Sequence, residues 1–171
     1  MTAALLLRLD RLSRSIAPLT LSVGLLIVAV LPFRLPGLGR IAPDVALIAV
    51  FYWAVYRPDL FPAAAAFLLG LFHDVLIGGP LGASAFVLLL AHGLVRSQRR
   101  FFAGKSFPVV WWAFGLVAAG AALIGWIAAM VLAFAPVDIA PALFQWVLTM
   151  ALYPFLTWLF ARTQASVLWR R

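Results

Sequence analysis

Apolar segments alternate with short polar stretches along the whole chain, and this pattern predicts helices that cross a membrane. A helix rises about 1.5 Å per residue, so about 20 apolar residues span the hydrocarbon core of a bilayer, which is about 30 Å thick. The third and fourth segments are short, which fits a small tilt or partial burial inside a helix bundle. We predict six membrane-spanning helices, at residues 16–33, 43–56, 60–77, 81–95, 107–134 and 141–161.

These six helices predict an all-α polytopic membrane protein in which residues 1–171 form one integral membrane domain. The first segment is similar to a signal peptide, but no convincing small-residue cleavage site follows it, so we expect an uncleaved span. Only 11% of the residues are charged and 66% are hydrophobic, whereas soluble domains carry about 25% charged residues. The chain has no cysteine, which excludes disulfides, thiolate metal sites and a cysteine nucleophile.

The basic residues indicate how the helices are oriented. The chain has 13 Lys and Arg against 5 acidic residues, for a net charge of +8. In a soluble protein this balance would suggest nucleic-acid binding, but here the positive-inside rule explains it, and we expect both termini in the cytoplasm and no nucleic-acid partner. With that orientation only Arg34 and Arg40 face outward, and the other basic residues face the cytoplasm: Arg8, Arg11, Arg14, Arg57, Arg96, Arg99, Arg100, Lys105, Arg162, Arg170 and Arg171.

Asp74 most needs an explanation, because it lies within the third apolar segment, directly after His73. A carboxyl group that faces lipid at a helix centre would cost about 3 kcal/mol. Asp74 shares a helix face with Ala66 and Gly70, and small residues on that face allow another helix to approach closely. We expect Asp74 to face protein or the interface, either as a hydrogen-bonded packing anchor, as a cap on the next turn, or as a proton or cation site.

The residues after Asp74 predict a helical hairpin. Gly78, Gly79 and Pro80 break the helix, and the next apolar segment begins at Leu81. So short a connection makes the third and fourth helices antiparallel neighbours.

The second apolar segment opens with two residues that are typical of a helix start. Pro43 suits a first helical turn, and Asp44 suits the positive end of the helix dipole. Near the end of the segment, Tyr52, Trp53 and Tyr56 predict an interfacial aromatic belt.

One short motif suggests catalysis. Gly82, Ala83 and Ser84 are similar to the Gly-x-Ser nucleophile loop of rhomboid intramembrane proteases, which also have six helices. Such a serine needs a histidine within hydrogen-bond reach, yet the sixth predicted helix has none, and His73 could serve only if the turn folded it back. We expect no enzymatic activity, and the spacing of the histidines and aspartates predicts no metal or cofactor site.

The polar stretch 96–105 combines basic side chains with Phe101 and Phe102. This combination favours contact with anionic lipid or with a cytoplasmic partner, although orientation in the membrane alone also explains it. The basic residues of this stretch are Arg96, Arg99, Arg100 and Lys105.

Several of these features together resemble the rod shape-determining protein MreD family. The motifs that carry the resemblance are Pro43-Asp44 before an aromatic-rich helix, Arg57-Pro58, the run from Gly70 to Asp74, and the turn from Gly79 to Gly82. Chain length, the six-segment pattern and the basic termini agree with it. The residues that match the family pattern are Pro43, Asp44, Gly70, Asp74, Gly79, Pro80 and Gly82.

The resemblance implies a multi-pass protein of the bacterial inner (cytoplasmic) membrane that belongs to the cell-elongation machinery. It implies a non-catalytic scaffold that binds MreC and works beside MreB, RodA and a penicillin-binding transpeptidase in lateral peptidoglycan synthesis. MreD-like chains are also similar in fold to the S-components of energy-coupling factor transporters, so a substrate-binding transporter subunit is the alternative. An S-component needs a polar pocket on the outer side, and the sequence offers few polar residues there.

Overall fold

The computed structural model describes residues 18–29, 42–102, 104–134 and 137–168, the side chains of residues 133 and 164–168 excepted. The two ends of the first predicted span, residues 16–17 and 30–33, lie outside the described residues. The same holds for a set of basic residues used above for orientation: Arg8, Arg11, Arg14, Arg34, Arg40, Arg170 and Arg171.

The described part of the chain is helical and contains no strand. Its helices are α1 (Pro18–Ala29), α2 (Val45–Tyr56), α3 (Ala63–Ile77), α4 (Ala83–Ser97), α5 (Arg99–Phe102), α6 (Phe107–Ala133) and α7 (Ala140–Leu168). By length and composition α6 and α7 are apolar enough to cross a membrane, and α1 to α4 are shorter apolar helices. The sequence did not predict α5, which forms a single turn inside the basic stretch.

Helix α2 forms the centre of the fold. Ten of its twelve residues, Val45 to Ala54, are buried. The Phe51 ring packs edge-on against Phe114 at 5.1 Å and against Tyr153 at 5.8 Å, which joins α2 to α6 and α7. A helix that is apolar on every side is stable only when protein or lipid surrounds it on every side, and here the other helices do so.

The predicted aromatic belt on α2 is wrong for two of its three residues. Tyr52 and Trp53 are buried, and only Tyr56 is exposed. Tyr52 stacks on Phe160 of α7, and the Trp53 indole Nε1 donates to Ser22 Oγ of α1 at 3.1 Å. A buried tryptophan needs a partner for its N–H, and the hydroxyl of α1 supplies it.

Two antiparallel hairpins pack against α2. Helices α3 and α4 form the first hairpin, and α6 and α7 form the second. Helix α2 contacts α3, α4 and α7, and α4 also contacts α6. The turn between α3 and α4 and the start of α2 are therefore brought toward the same part of the bundle, where the candidate site lies.

Candidate functional site

The carboxylate of Asp74 closes the turn between α3 and α4. Its Oδ2 accepts a hydrogen bond from the Gly82 N–H at 2.7 Å, and its Oδ1 accepts one from the Ser84 N–H at 3.0 Å. Asp74 is only 2% exposed. Both oxygens of a buried carboxylate are thus satisfied by backbone N–H groups, and the carboxylate caps the N-terminus of α4 from the preceding helix.

The local sequence explains why Asp74 has to supply this cap. Residue Gly82 occupies the N-cap position of α4 with φ +98°, and it has no side chain to cap with. At the end of α3, Gly78 lies in the left-handed region with φ +73°, and its N–H donates to the Asp74 carbonyl at 2.9 Å. Glycine adopts such angles without steric cost. Asp74 therefore closes the turn with its backbone and its side chain together.

Gly70 allows α3 and α4 to touch through their backbones. A Cβ on Gly70 would lie 2.7 Å from the Ala85 backbone N and closer still to its Cα. No ordinary side-chain movement relieves a clash with backbone atoms. The close approach keeps Asp74, one turn further along α3, within reach of the α4 amides.

His73 of α3 lies against Ser84 of α4. The turn does fold it back: His73 Nδ1 and Ser84 Oγ are 3.1 Å apart, and the histidine is 7% exposed. Its Nε2 has no hydrogen-bond partner among the described residues. The contact adds a side-chain bridge beside the Asp74 cap.

Asp44 performs a similar capping role at the start of α2. Its Oδ1 accepts from the Leu47 N–H at 2.8 Å, and its own N–H donates to Thr149 Oγ1 of α7 at 2.9 Å. The helix begins at Val45, so the prediction that Pro43 occupies its first turn is wrong. Pro43 precedes the N-cap residue. Asp44 is the N-cap, and its side chain accepts a hydrogen bond from the backbone N–H of the third residue beyond it.

A cavity of about 580 Å³ connects these two capping sites. Asp44, Asp74, Gly79 and Pro80 line it, whereas Pro43, Gly70 and Gly82 do not. Its walls come from α2, α3, α4, α6 and α7. The structure thus brings four of the seven residues that match the family pattern around one space between the two hairpins.

The predicted basic residues lie apart from this cavity. Arg96 belongs to the last turn of α4, Arg99 and Arg100 to α5, and Lys105 follows α5; all four are exposed. The Lys105 ammonium lies over the Phe101 ring at 5.5 Å, a cation–π contact. They lie at the end of α4 opposite to its Asp74-capped N-terminus, and none lines the cavity.

Sequence reasoning missed Gln145 and Thr149, which line the cavity from α7. The available signal was their spacing: two polar residues four apart fall on one face of a helix that is otherwise apolar there. Trp146 also lines the cavity, and its indole N–H donates to the Gly115 carbonyl of α6 at 2.9 Å.

One comparison with known proteins identifies the family. The model of the rod shape-determining protein MreD family matches residues 11–163. The chain belongs to the MreD family. The comparison with curated proteins gave no match, and neither did the comparison with solved structures.

Membership of the MreD family indicates the biological role of the chain and its location in a membrane. The family implies a role in rod-shape determination, and it is a family of shape-determining structural proteins of the rod complex. Together with the apolar helices it makes this chain a membrane protein. All the candidate residues, from Pro43 to Lys105, lie inside the region that the MreD model matches.

Proposed function

We propose that this chain is a non-catalytic inner-membrane scaffold of the bacterial rod complex. It contributes to cell shape and to lateral peptidoglycan synthesis by binding MreC and the associated synthases, RodA and a penicillin-binding transpeptidase, in one complex with MreB. The observation that carries the proposal is the match of residues 11–163 to the MreD family. In this role the Asp74-capped hairpin gives the scaffold a fixed shape.

The proposed topology has six spans with cytoplasmic termini. The lengths of α6 and α7 and the apolar character of α1 to α4 support it, as does the distribution of basic residues. Because the chain has no cysteine, single cysteines can be introduced without background labelling. We expect a membrane-impermeant maleimide to label Asp138→Cys in intact cells and Lys105→Cys only after permeabilisation. The reverse pattern would contradict the topology.

The outer surface of the α3–α4 hairpin supports binding to a single-span partner such as MreC. On α4, Phe86, Leu90 and Leu94 are 59%, 46% and 54% exposed and follow each other at four-residue spacing. On α3, Phe67 and Val75 are exposed as well. In a membrane such an apolar row packs either against lipid or against a partner helix, and we propose that MreC is its partner.

Photocrosslinking from this surface tests the scaffold proposal. A photoreactive amino acid at Leu90 should crosslink MreC in the native membrane, and purification of the tagged protein should retain the elongation synthases. The matched control is Leu116 on α6, which is 80% exposed and should give lipid adducts. Crosslinking of MreC from Leu116 but not from Leu90 would show that the MreC interface lies on α6 instead. Purification that retains no rod component would contradict the scaffold role.

The cavity favours one second candidate, a substrate-binding subunit similar to the S-components of energy-coupling factor transporters. We propose the fold likeness on the resemblance stated above, and the support for the function is the group of polar side chains, Asp44, His73 and Gln145, around one space. The same purification separates the candidates. An ATPase module or a bound vitamin would favour the transporter subunit, and rod proteins without either would favour the scaffold.

A further inference from the structure

The cavity between the hairpins has a wall of small residues. Helix α6 contributes Ala118, Ala121, Ala122, Gly125 and Ala128 to it, so the space exists because these side chains do not fill it. Its volume, about 580 Å³, lies within the range of about 300–1,000 Å³ that is usual for small-molecule sites.

The polar side of the cavity has three groups with unused hydrogen-bonding capacity. Asp44 uses only Oδ1 for its cap. His73 is buried, and its Nε2 is unpaired within the described part of the chain. The side-chain amide of Gln145 likewise has no hydrogen-bond partner in the described ranges. Unused polar groups on an otherwise apolar wall are what orient a ligand.

The charged residues around the cavity determine which polar head group a ligand can have. Of the charged residues that the structure describes, Asp44 and Asp74 line the cavity, and no described lysine or arginine does. The Asp74 oxygens are both occupied by backbone N–H groups, which leaves Asp44 as the anion that meets the ligand. A phosphate or carboxylate head would face the free Oδ2 of Asp44, which repels a negative charge, whereas an amine, amide or hydroxyl would donate a hydrogen bond to it.

The rim of the cavity indicates that the ligand arrives from the lipid phase. The lining residues Phe86 of α4 and Leu132 of α6 are each 59% exposed, and Ile77 of α3 is 56% exposed. These exposed apolar side chains form part of the cavity lining. A water-soluble molecule would cross it at a desolvation cost, but the chain of an amphiphile would pack against it.

We infer that the cavity binds a membrane-soluble amphiphile whose head donates hydrogen bonds and carries no negative charge. The head lies at Asp44, His73 and Gln145, and the apolar chain lies along the small residues of α6. This inference does not rest on the scaffold role, because it concerns the isolated chain in a bilayer.

Photolabelling in phosphatidylcholine nanodiscs tests the inference. The probes are two diazirine-bearing chains of equal length, hexadecylamine and hexadecanoic acid, and mass spectrometry maps the labelled peptides. We expect the amine to label the α4 and α6 segments of the cavity at least about fivefold more than the acid. Equal labelling by the two probes, preference for the acid, or no label in the cavity would each overturn the inference.

Substitutions in the cavity show whether the label reports this site. Ala121→Phe fills the space and should reduce amine labelling of the cavity about tenfold, whereas Ala151→Phe, at an exposed position of α7, should leave it unchanged. Gln145→Leu keeps the size of the side chain and should lower the amine preference without loss of the fold, so it tests the polar end even if Ala121→Phe fails to fold. Unchanged labelling in both cavity variants would contradict the proposed site.

Discussion

The two hairpins that flank α2 are held together by different chemical groups. In the α3–α4 hairpin, a buried carboxylate at the turn accepts two backbone N–H groups of the next helix, and a glycine brings the two backbones together. In the α6–α7 hairpin, tryptophan indoles donate to backbone carbonyls along the length of the pair, from Trp111 to Met150, from Trp146 to Gly115 and from Trp126 to Val137 near the turn.

The contact from Trp111 has a specific physical reason. Pro154 lies inside α7 and has no N–H, so the carbonyl four residues earlier, at Met150, loses its helical partner. The Trp111 indole Nε1 donates to that carbonyl at 3.0 Å. In a membrane a freed carbonyl needs a partner from the protein, and α6 supplies it to α7.

The buried carboxylate and the tryptophan indoles suit different surroundings. The carboxylate must be fully enclosed, because any exposure to lipid would be costly. An indole leaves a large apolar ring once its N–H is satisfied, so it suits the second hairpin, which is largely exposed. We therefore expect the first hairpin to tolerate substitution much less than the second.

The largest effect is expected at Asp74. Asp74→Leu leaves the half-buried Gly82 and Ser84 N–H groups without an acceptor, and each should cost about 1 kcal/mol of the free energy of unfolding. Asp74→Asn keeps one acceptor oxygen and should lose clearly less. Thermal unfolding in nanodiscs, followed by circular dichroism, measures both. Equal loss in the two variants would show that the negative charge, rather than hydrogen bonding, is the essential property.

A pair of glycines compares the two hairpins directly. Gly70→Ala places a methyl group against the Ala85 backbone and should destabilise the protein by about 1–3 kcal/mol, as overpacking does. Gly115→Ala meets only the flexible end of the Met150 side chain, with its Cε at 2.9 Å, and should change stability by less than about 1 kcal/mol. The same unfolding assay applies. A larger loss at Gly115 would reverse the comparison.

A smaller effect is expected at Trp111. Trp111→Phe keeps an aromatic ring but leaves the Met150 carbonyl without a donor, which should cost about 1–2 kcal/mol. The matched control is Trp112→Phe, because Trp112 is 66% exposed and its replacement should cost less than about 0.5 kcal/mol. If the two variants unfold at the same temperature, the indole does not replace the missing N–H of Pro154.

The hairpin turn could be predicted from sequence because its signals are local. An acidic residue inside an apolar segment, followed by Gly78, Gly79 and Pro80, indicates both a helix end and a group that needs enclosure. The choice between anchor and cap did not follow, because in the structure one carboxylate supplies a cap to α4 and a link between α3 and α4 at once.

Other features depend on contacts between residues far apart in the chain. The burial of Tyr52 and Trp53 follows from α2 lying between two hairpins, and aromatic residues at a helix end are equally typical of an interface. The cavity is lined by residues from distant parts of the chain, such as Asp44 and Gln145, which are about 100 residues apart. Periodicity within one helix contains no information on such pairs.

The most direct test of the Asp74 cap is amide hydrogen exchange at single residues, measured by NMR on the ¹⁵N-labelled protein in lipid nanodiscs. The account predicts that the Gly82 and Ser84 amides are protected in the wild-type protein and exchange at least about tenfold faster in Asp74→Leu. The Phe86 amide, which donates to the Gly82 carbonyl at 2.9 Å, should change less. If Gly82 and Ser84 exchange at the same rate in both proteins, the carboxylate does not hold the start of α4, and the account of the hairpin is wrong.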